Sequence, residues 1–209
     1  MNWDEFDADR LRKMAGQMTA GAADDSLHGD HALNPDAAAL LEGSDLREAA
    51  VLIPVVNRRS GAGLLLTRRS EAMRKHSGQI AFPGGAVDPG DASPEAAAMR
   101  ETREEIGLTA DAIETLGRLP PYLTATGFRI TPVLALISPD YELAINEEEV
   151  DAAFEVPFSF AMNPENHKRE SRLWQGKKRF YYGITYKEHY IWGVTAGIVR
   201  MLYERLNLA

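Results

Sequence analysis

Apolar positions along the chain fall into short blocks with two different periods. Residues 49–56, AAVLIPVV, make a continuous apolar run of strand length, followed by Gly61-Ala62-Gly63 and then LLLT at 64–67. Such runs, separated by a Gly-containing turn, predict two paired strands. Further strands are predicted over 128–137 (FRITPVLALI), near 150–156 and over 179–186 (RFYYGITY), where β-branched and aromatic residues suit a pleated surface. Helical spacing appears at three places. Residues 4–18 carry a loose pattern through Phe6, Leu11 and Met14, residues 94–106 form a second helix, and over 191–206 Ile191, Val194, Ile198, Met201 and Leu202 share one face. Residues 19–43 run through Gly, Asp, Asn and Pro and read as a covering arm or linker. Strands and helices alternate without an internal repeat, which predicts an N-terminal helix and arm over 1–45 and one mixed α/β (α+β) domain over 46–209.

Composition narrows the function classes. A chain of 209 residues can bury a core without staples. Lys plus Arg number 23 against 31 Asp plus Glu, a net charge of −8 that disfavours nonspecific binding to nucleic acid or anionic lipid. An anionic substrate would therefore need cations recruited locally. With no cysteine, disulfides, thiolate nucleophiles and zinc-thiolate sites are excluded. The acidic N-terminal stretch lacks the basic and apolar segments of a secretory signal, so a cytoplasmic location is expected, with no membrane or nucleic-acid partner.

Candidate chemistry concentrates at 82–108, FPGGAVDPGDASPEAAAMRETREEIGL. Ser93-Pro94-Glu95 is a strong helix start, and Gly107 a suitable stop. On that helix Glu101, Glu104 and Glu105 fall within an arc of roughly 100°, opposite Ala96, Met99 and Ile106, which predicts three carboxylates on an outward face. A lone acidic face is ordinarily just solvated. Here a Gly84-Gly85 turn precedes it, where backbone can approach a ligand, and clustered carboxylates suit a hard cation such as Mg²⁺ together with substrate phosphates. The Gly85 carbonyl could complete such a ligand set.

The residues Arg100-Glu101-Thr102-Arg103-Glu104-Glu105-Ile106-Gly107-Leu108 resemble the second half of the Nudix box of diphosphate hydrolases, with Thr102 where an aliphatic residue is usual. In the first half, five residues separate Gly85 from Asp91, which stands where the family has glutamate, and eight rather than seven separate Asp91 from Arg100. The resemblance implies a Nudix fold, an α/β/α sandwich with a mixed central sheet. It also implies Mg²⁺ or Mn²⁺ held by Glu101, Glu104, Glu105 and Gly85, with Arg100 orienting a carboxylate. A glutamate outside the box often serves the water or a further metal, and Glu149, in the acidic tract 146–149, fits that role.

Upstream, Leu65-Leu66-Thr67-Arg68-Arg69-Ser70, Arg74, Gly78 and Phe82-Pro83-Gly84-Gly85 are each separated by three residues and resemble the additional signature of coenzyme A diphosphatases. Thr126-Gly127-Phe128 and 191–196 are similar to the same group. The implied reaction is hydrolysis of coenzyme A or acyl-coenzyme A to 3′,5′-ADP and 4′-phosphopantetheine or its acyl derivative. Arg69, Arg74, His76 and Gln79 would contact this small-molecule substrate, the two arginines and His76 being candidates for its 3′-phosphate. A homodimer is compatible with the resemblance. Two alternatives stay open: a Nudix hydrolase of another nucleoside diphosphate compound, such as ADP-ribose or NADH, and a silent nucleotide sensor, although Glu104 and Glu105 are both retained. Trp174, Tyr181, Tyr182 and Tyr186 could stack an adenine or pack in a sheet. His28, His31, His167 and His189 show no metal-ligand spacing and read as ordinary polar residues.

Overall fold

The structure, a computed structural model, describes residues 8–20, 28–37, 45–73, 75–174 and 176–208. The arm contributes helix α1 (Ala8–Ala20), a two-residue strand β1 (His28–Gly29), a single helical turn α2 (Asp30–Leu33) and a 3-10 turn at Pro35–Ala37. The apolar run at 49–56 lies in β2 (Arg47–Val56), and β3 (Gly63–Arg69) returns antiparallel to it with Val55 opposite Leu64. Two short strands, β4 (Ile80–Ala81) and β5 (Gly84–Ala86), lead into helix α3 (Pro94–Ile106). The larger sheet continues with β6 (Ile113–Arg118), β7 (Tyr122–Leu123), β8 (Phe128–Ile137) and β9 (Val150–Pro157). After a short turn, α4 (Phe158–Ala161), the strands β10 (Lys168–Trp174), β11 (Lys177–Tyr186) and β12 (His189–Trp192) form a separate antiparallel sheet, and α5 (Val194–Leu208) follows.

The axis of the fold is the parallel pair β2 and β8, in register from Arg47 opposite Phe128 to Val56 opposite Ile137. Their sequences are continuously apolar because both faces are covered. Ile53, Val55, Leu64, Leu66, Leu134 and Leu136 cluster with Leu11 and Met14 of α1 and Ile198, Met201 and Leu202 of α5. On the other face Ala50, Leu52, Leu65, Val133 and Ala135 cluster with Ala97, Ala98 and Ile106 of α3. The result is the expected sandwich of helices on a mixed sheet. The described part of the arm is built into it, since Leu11 is fully buried in the core shared with α5; residues 1–7, where the first predicted helix would begin, lie outside the described residues.

One helix boundary differs from the sequence expectation. Ile191 belongs to β12, opposite Ile184, and not to the last helix. Gly193 at φ 62° interrupts the backbone between them, so Ile191 reaches the core from a strand while Val194, Ile198, Met201 and Leu202 reach it from α5. A helical spacing and a strand that ends in the same core produce the same apolar pattern.

Helix α3 has the predicted ends. Ser93 Oγ accepts from the Ala96 N–H at 3.3 Å, Pro94 fills the first turn, and Gly107 at φ 71° donates its N–H to the Arg103 carbonyl at 2.9 Å. Its rotation differs from the expectation: the buried residues are Ala97, Ala98, Thr102, Glu105 and Ile106, with Ala96 and Met99 only half-buried. Small alanines let the helix settle close to the sheet, so shape and not hydrophobicity sets the buried face. Thr102, where an aliphatic residue is usual, satisfies its hydroxyl on the Ala98 carbonyl at 2.6 Å. A Cβ on Gly107 would meet Ala144 Cβ at 2.6 Å in a left-handed conformation. Gly107→Ala is therefore expected to cost about 2 kcal/mol or more, a fall in Tm of about 4–8 °C. Thr102→Val removes a hydroxyl that only duplicates an existing helical bond and should stay within about 1 kcal/mol of wild type. Thermal melts of both variants check this packing, and a Gly107→Ala protein that melts like wild type contradicts it.

Candidate active site

The site begins at the seam between α3 and β5. Strand β5 pairs with the first half of β2, placing Gly85 opposite Ala50 and Gly84 opposite Val51. A Cβ on Gly85 would lie 2.5 Å from Glu101 Cδ and 2.6 Å from both its oxygens, so a side chain here would displace the Glu101 carboxylate from the position it holds. The same approach carries Glu105 inward. Glu105 is 2% exposed, its Oε2 accepts the Gly84 N–H at 3.1 Å, and Arg69 Nη1 faces its Oε1 at 3.5 Å. The expectation of three carboxylates on an outward face is thus corrected: Glu104 is open to solvent, Glu101 half-buried, and Glu105 lies inside the seam.

Arg100 ties the outer part together. Its Nε and Nη2 bond Asp91 Oδ1 and Oδ2, each at 3.0 Å, Nη2 also reaches the Ala86 carbonyl at 3.1 Å, and Nη1 bonds Glu101 Oε1 and Glu104 Oε2, each at 3.0 Å. These contacts occupy the five N–H donors a guanidinium possesses. Arg100 is a positioning residue for the two carboxylates, as its spacing suggested. Asp91, a departure from the family pattern, supplies the other half of this clamp, and the Arg100 bonds hold its carboxyl below the usual range. Glu95 takes no part, being paired with Arg118.

Electrostatics show what the seam lacks. Burial pushes the Glu105 carboxyl up to about 7; the Gly84 N–H and Arg69 oppose this, while Glu101 and Glu149 add to it. Burial raises Glu101 as well, with Glu104 and Glu149 contributing and Arg100 opposing. Glu149, at the end of a turn closed by Asn146, thus adds its charge to both box carboxylates from outside the helix, while its own carbonyl accepts the Ser70 N–H at 2.8 Å. Among the described residues no three acidic or histidine side chains converge tightly enough to enclose an ion, since Glu101 and Glu104 are turned onto Arg100. The donor set nonetheless fits a hard divalent cation. It consists of carboxylate oxygens that repel one another, beside a glycine cradle that a Cβ would fill.

A cleft of about 530 Å³ opens from these glycines. Arg69, His76 and Gln79 line it beside Gly84 and Gly85, and His76 Nδ1 meets Gln79 Oε1 at 2.9 Å. Arg74 lies outside the described residues. The aromatic candidates divide. Trp174 and Tyr181 line the cleft with Trp192, whereas Tyr182 and Tyr186 pack against the core. Among the histidines, His167 is buried with Nε2 2.7 Å from the Ala161 carbonyl, and His189 stacks on Phe154 at 3.7 Å.

Sequence reasoning missed two groups of lining residues. Arg172, Arg179 and Trp192 were readable from the period of two in their strands. Asp30 and Asn34 of the arm carried no local signal, because long-range partners fix them. Asp30 accepts from the Tyr122 hydroxyl at 2.9 Å and the Ala125 N–H at 3.1 Å. Asn34 exchanges two hydrogen bonds with the Phe180 backbone, at 2.9 and 2.8 Å.

The NUDIX domain family is matched over residues 46–180, a stretch that takes in the β5 glycines, α3, Glu149 and most of the cleft. A Nudix hydrolase called NudL from Enterobacter sp. (strain 638) is 47% identical over 162 residues, spanning 78% of this chain and 84% of that protein. The NudL of Escherichia coli (strain K12) is 46% identical with the same coverage. The chain belongs to the Nudix family and is a hydrolase of pyrophosphate bonds in nucleoside diphosphate derivatives.

Proposed function

We propose that the substrate is coenzyme A or acyl-coenzyme A, cleaved at its diphosphate to give 3′,5′-ADP and 4′-phosphopantetheine or its acyl derivative. One observation carries this reading. Arg69, His76, Gln79 and Phe82, which lie in the upstream segment that resembles the coenzyme A signature, line the same cleft as Gly84 and Gly85 of the box. Hydrolases of ADP-ribose or NADH do not need that segment. The cleft volume also falls within the range of roughly 300–1,000 Å³ usual for small-molecule sites.

Glu101, Glu105, Glu104 and the Gly85 carbonyl would hold Mg²⁺ or Mn²⁺, which when bound neutralises the diphosphate and lowers the pKa of an attacking water. Arg69, already drawn towards Glu105, offers a guanidinium to the diphosphate oxygens. Arg100, through Asp91, fixes Glu101 and Glu104. Glu149, with Oε1 engaged by Asn146 Nδ2 at 3.3 Å, would take the proton of the water at Oε2.

The test is a panel of diphosphate compounds with Mg²⁺ or Mn²⁺, the products identified by mass. Coenzyme A should show a higher kcat/KM than ADP-ribose or NADH, and equal or better cleavage of ADP-ribose would overturn the substrate assignment while leaving the family unaffected.

The carboxylates give two further expectations. Glu101→Gln, Glu104→Gln and Glu105→Gln should each lower activity by orders of magnitude, while Glu149→Gln should lose kcat with metal affinity kept. The second concerns stability. With the Glu105 carboxyl moved from 4.5 to about 7, the folded protein holds a proton that the unfolded chain has lost within that window. Stability of the metal-free protein therefore falls as pH rises from 4.5 through 7, and Glu105→Gln removes that fall, a difference approaching about 3 kcal/mol at pH 8. Mn²⁺ at pH 8 should raise the Tm of wild type and not that of Glu105→Gln. Parallel pH-stability curves for the two proteins would contradict the buried-carboxylate account.

A further inference from the structure

We propose that the three-stranded sheet carries a second anion subsite, on Arg172 and Arg179, for a phosphate that the substrate bears apart from its scissile diphosphate. This rests on the reading that the cleft takes a nucleoside diphosphate derivative. The register sets Arg172 directly opposite Arg179 across β10 and β11. Alternation along the strands puts Arg172, Trp174, Arg179 and Tyr181 on one face, together with Trp192, which pairs with Gly183. All five line the cleft. Tyr182 and Ile184, on the opposite face, go to the core.

Like charges directly opposed on one sheet face are destabilising unless an anion lies between them. The chain supplies that anion in part. Arg179, with a side chain 12% exposed, gives Nη1 to Asp36 Oδ1 at 2.8 Å, but its buried Nε has no hydrogen-bond partner among the described residues. Arg172 lies 4.6 Å over the Trp192 ring and forms no ion pair among the described residues. Glu170, on the same face, is turned onto the hydroxyls of Tyr190 and Tyr181 at 2.6 and 3.3 Å. Two guanidinium groups, one with an unmet buried donor, thus stand beside indole rings in the same cleft as the carboxylate seam. Arginines recognise phosphate, and aromatic faces stack a nucleobase next to it. In coenzyme A the matching group is the 3′-phosphate. Of the residues expected to bind it, Arg69 is instead drawn to the carboxylate end.

The test is calorimetric binding of 3′,5′-ADP and of 5′-AMP in Mg²⁺ buffer. Wild type should bind 3′,5′-ADP at least about tenfold more tightly, the scale of a charged hydrogen bond. Arg172→Gln, at an exposed side chain, should bring that ratio close to one, and Arg179→Lys should reduce it. Arg169→Gln is the control. Arg169 is on the other face, over Phe180 at 4.3 Å, and its loss should leave the ratio unchanged. Equal wild-type affinities (undetectable binding of both included), an unaltered ratio in Arg172→Gln, or an equal loss in Arg169→Gln would each overturn the subsite. Coenzyme A turnover, measured separately, keeps the two readings distinct. A correct ratio without turnover defeats the substrate assignment and leaves the subsite standing, whereas turnover with a ratio of one does the reverse.

Discussion

The Glu105 carboxylate lies between α3 and the β5 glycines, 2% exposed, with one peptide N–H bonded to it and one guanidinium at 3.5 Å. A carboxylate buried with so little compensation favours its neutral form. Nothing in the packing of α3 would put it there without the small residues on both sides of the seam. Ala97 and Ala98 bring the helix down, the missing Cβ of Gly85 leaves room for the Glu101 carboxylate, and Gly84 gives Glu105 its one peptide N–H. The sheet behind is stiff because β2 and β8 are buried on both faces, so the seam cannot relax by bending away. The result is a pocket of mutually repelling, poorly compensated carboxylates, and a divalent cation is the species that would relieve it.

From the seam outward the molecule grades from acidic to basic. Arg100 closes the acidic end by spending its donors on Asp91, Glu101, Glu104 and the Ala86 carbonyl, which fixes the outer carboxylates without adding a substrate contact. The opposite wall is the three-stranded sheet with its arginines and indoles. The arm is tied to this sheet, where Asn34 pairs with the Phe180 backbone and Asp36 with Arg179 and Lys177. The arm therefore shapes the cleft, although the family match begins only at residue 46. A chain with net charge −8 handles an anionic substrate by concentrating its cations along this wall and at Arg69.

Much of this was legible in the sequence where local chemistry decides the outcome. Ser93-Pro94 and Gly107 fix both ends of α3, and the runs 49–56 and 128–137 become strands because unbroken apolar sequence of that length needs two covered faces. What misled is non-local. Hydrophobic periodicity pointed Ala96 and Met99 at the core, but the small Ala97 and Ala98 face the sheet and Glu105 is buried along with them. Ile191 matched a helical stripe and serves a strand, because only the backbone at Gly193 distinguishes the two. Asp30 and Asn34 owe their place to partners about ninety to nearly one hundred and fifty positions away, which no window along the chain can see.

A divalent cation held in this seam against the β5 glycines is what the carboxylate arrangement predicts. Anomalous diffraction from crystals grown with Mn²⁺ tests it directly. A single strong anomalous peak within about 2.5 Å of the Glu101 and Glu105 carboxylates, with Arg100 still clamped to Asp91, is the predicted result. Peaks confined to exposed acids such as Glu147 and Glu148, with Glu105 still turned to Gly84 and Arg69, would contradict it.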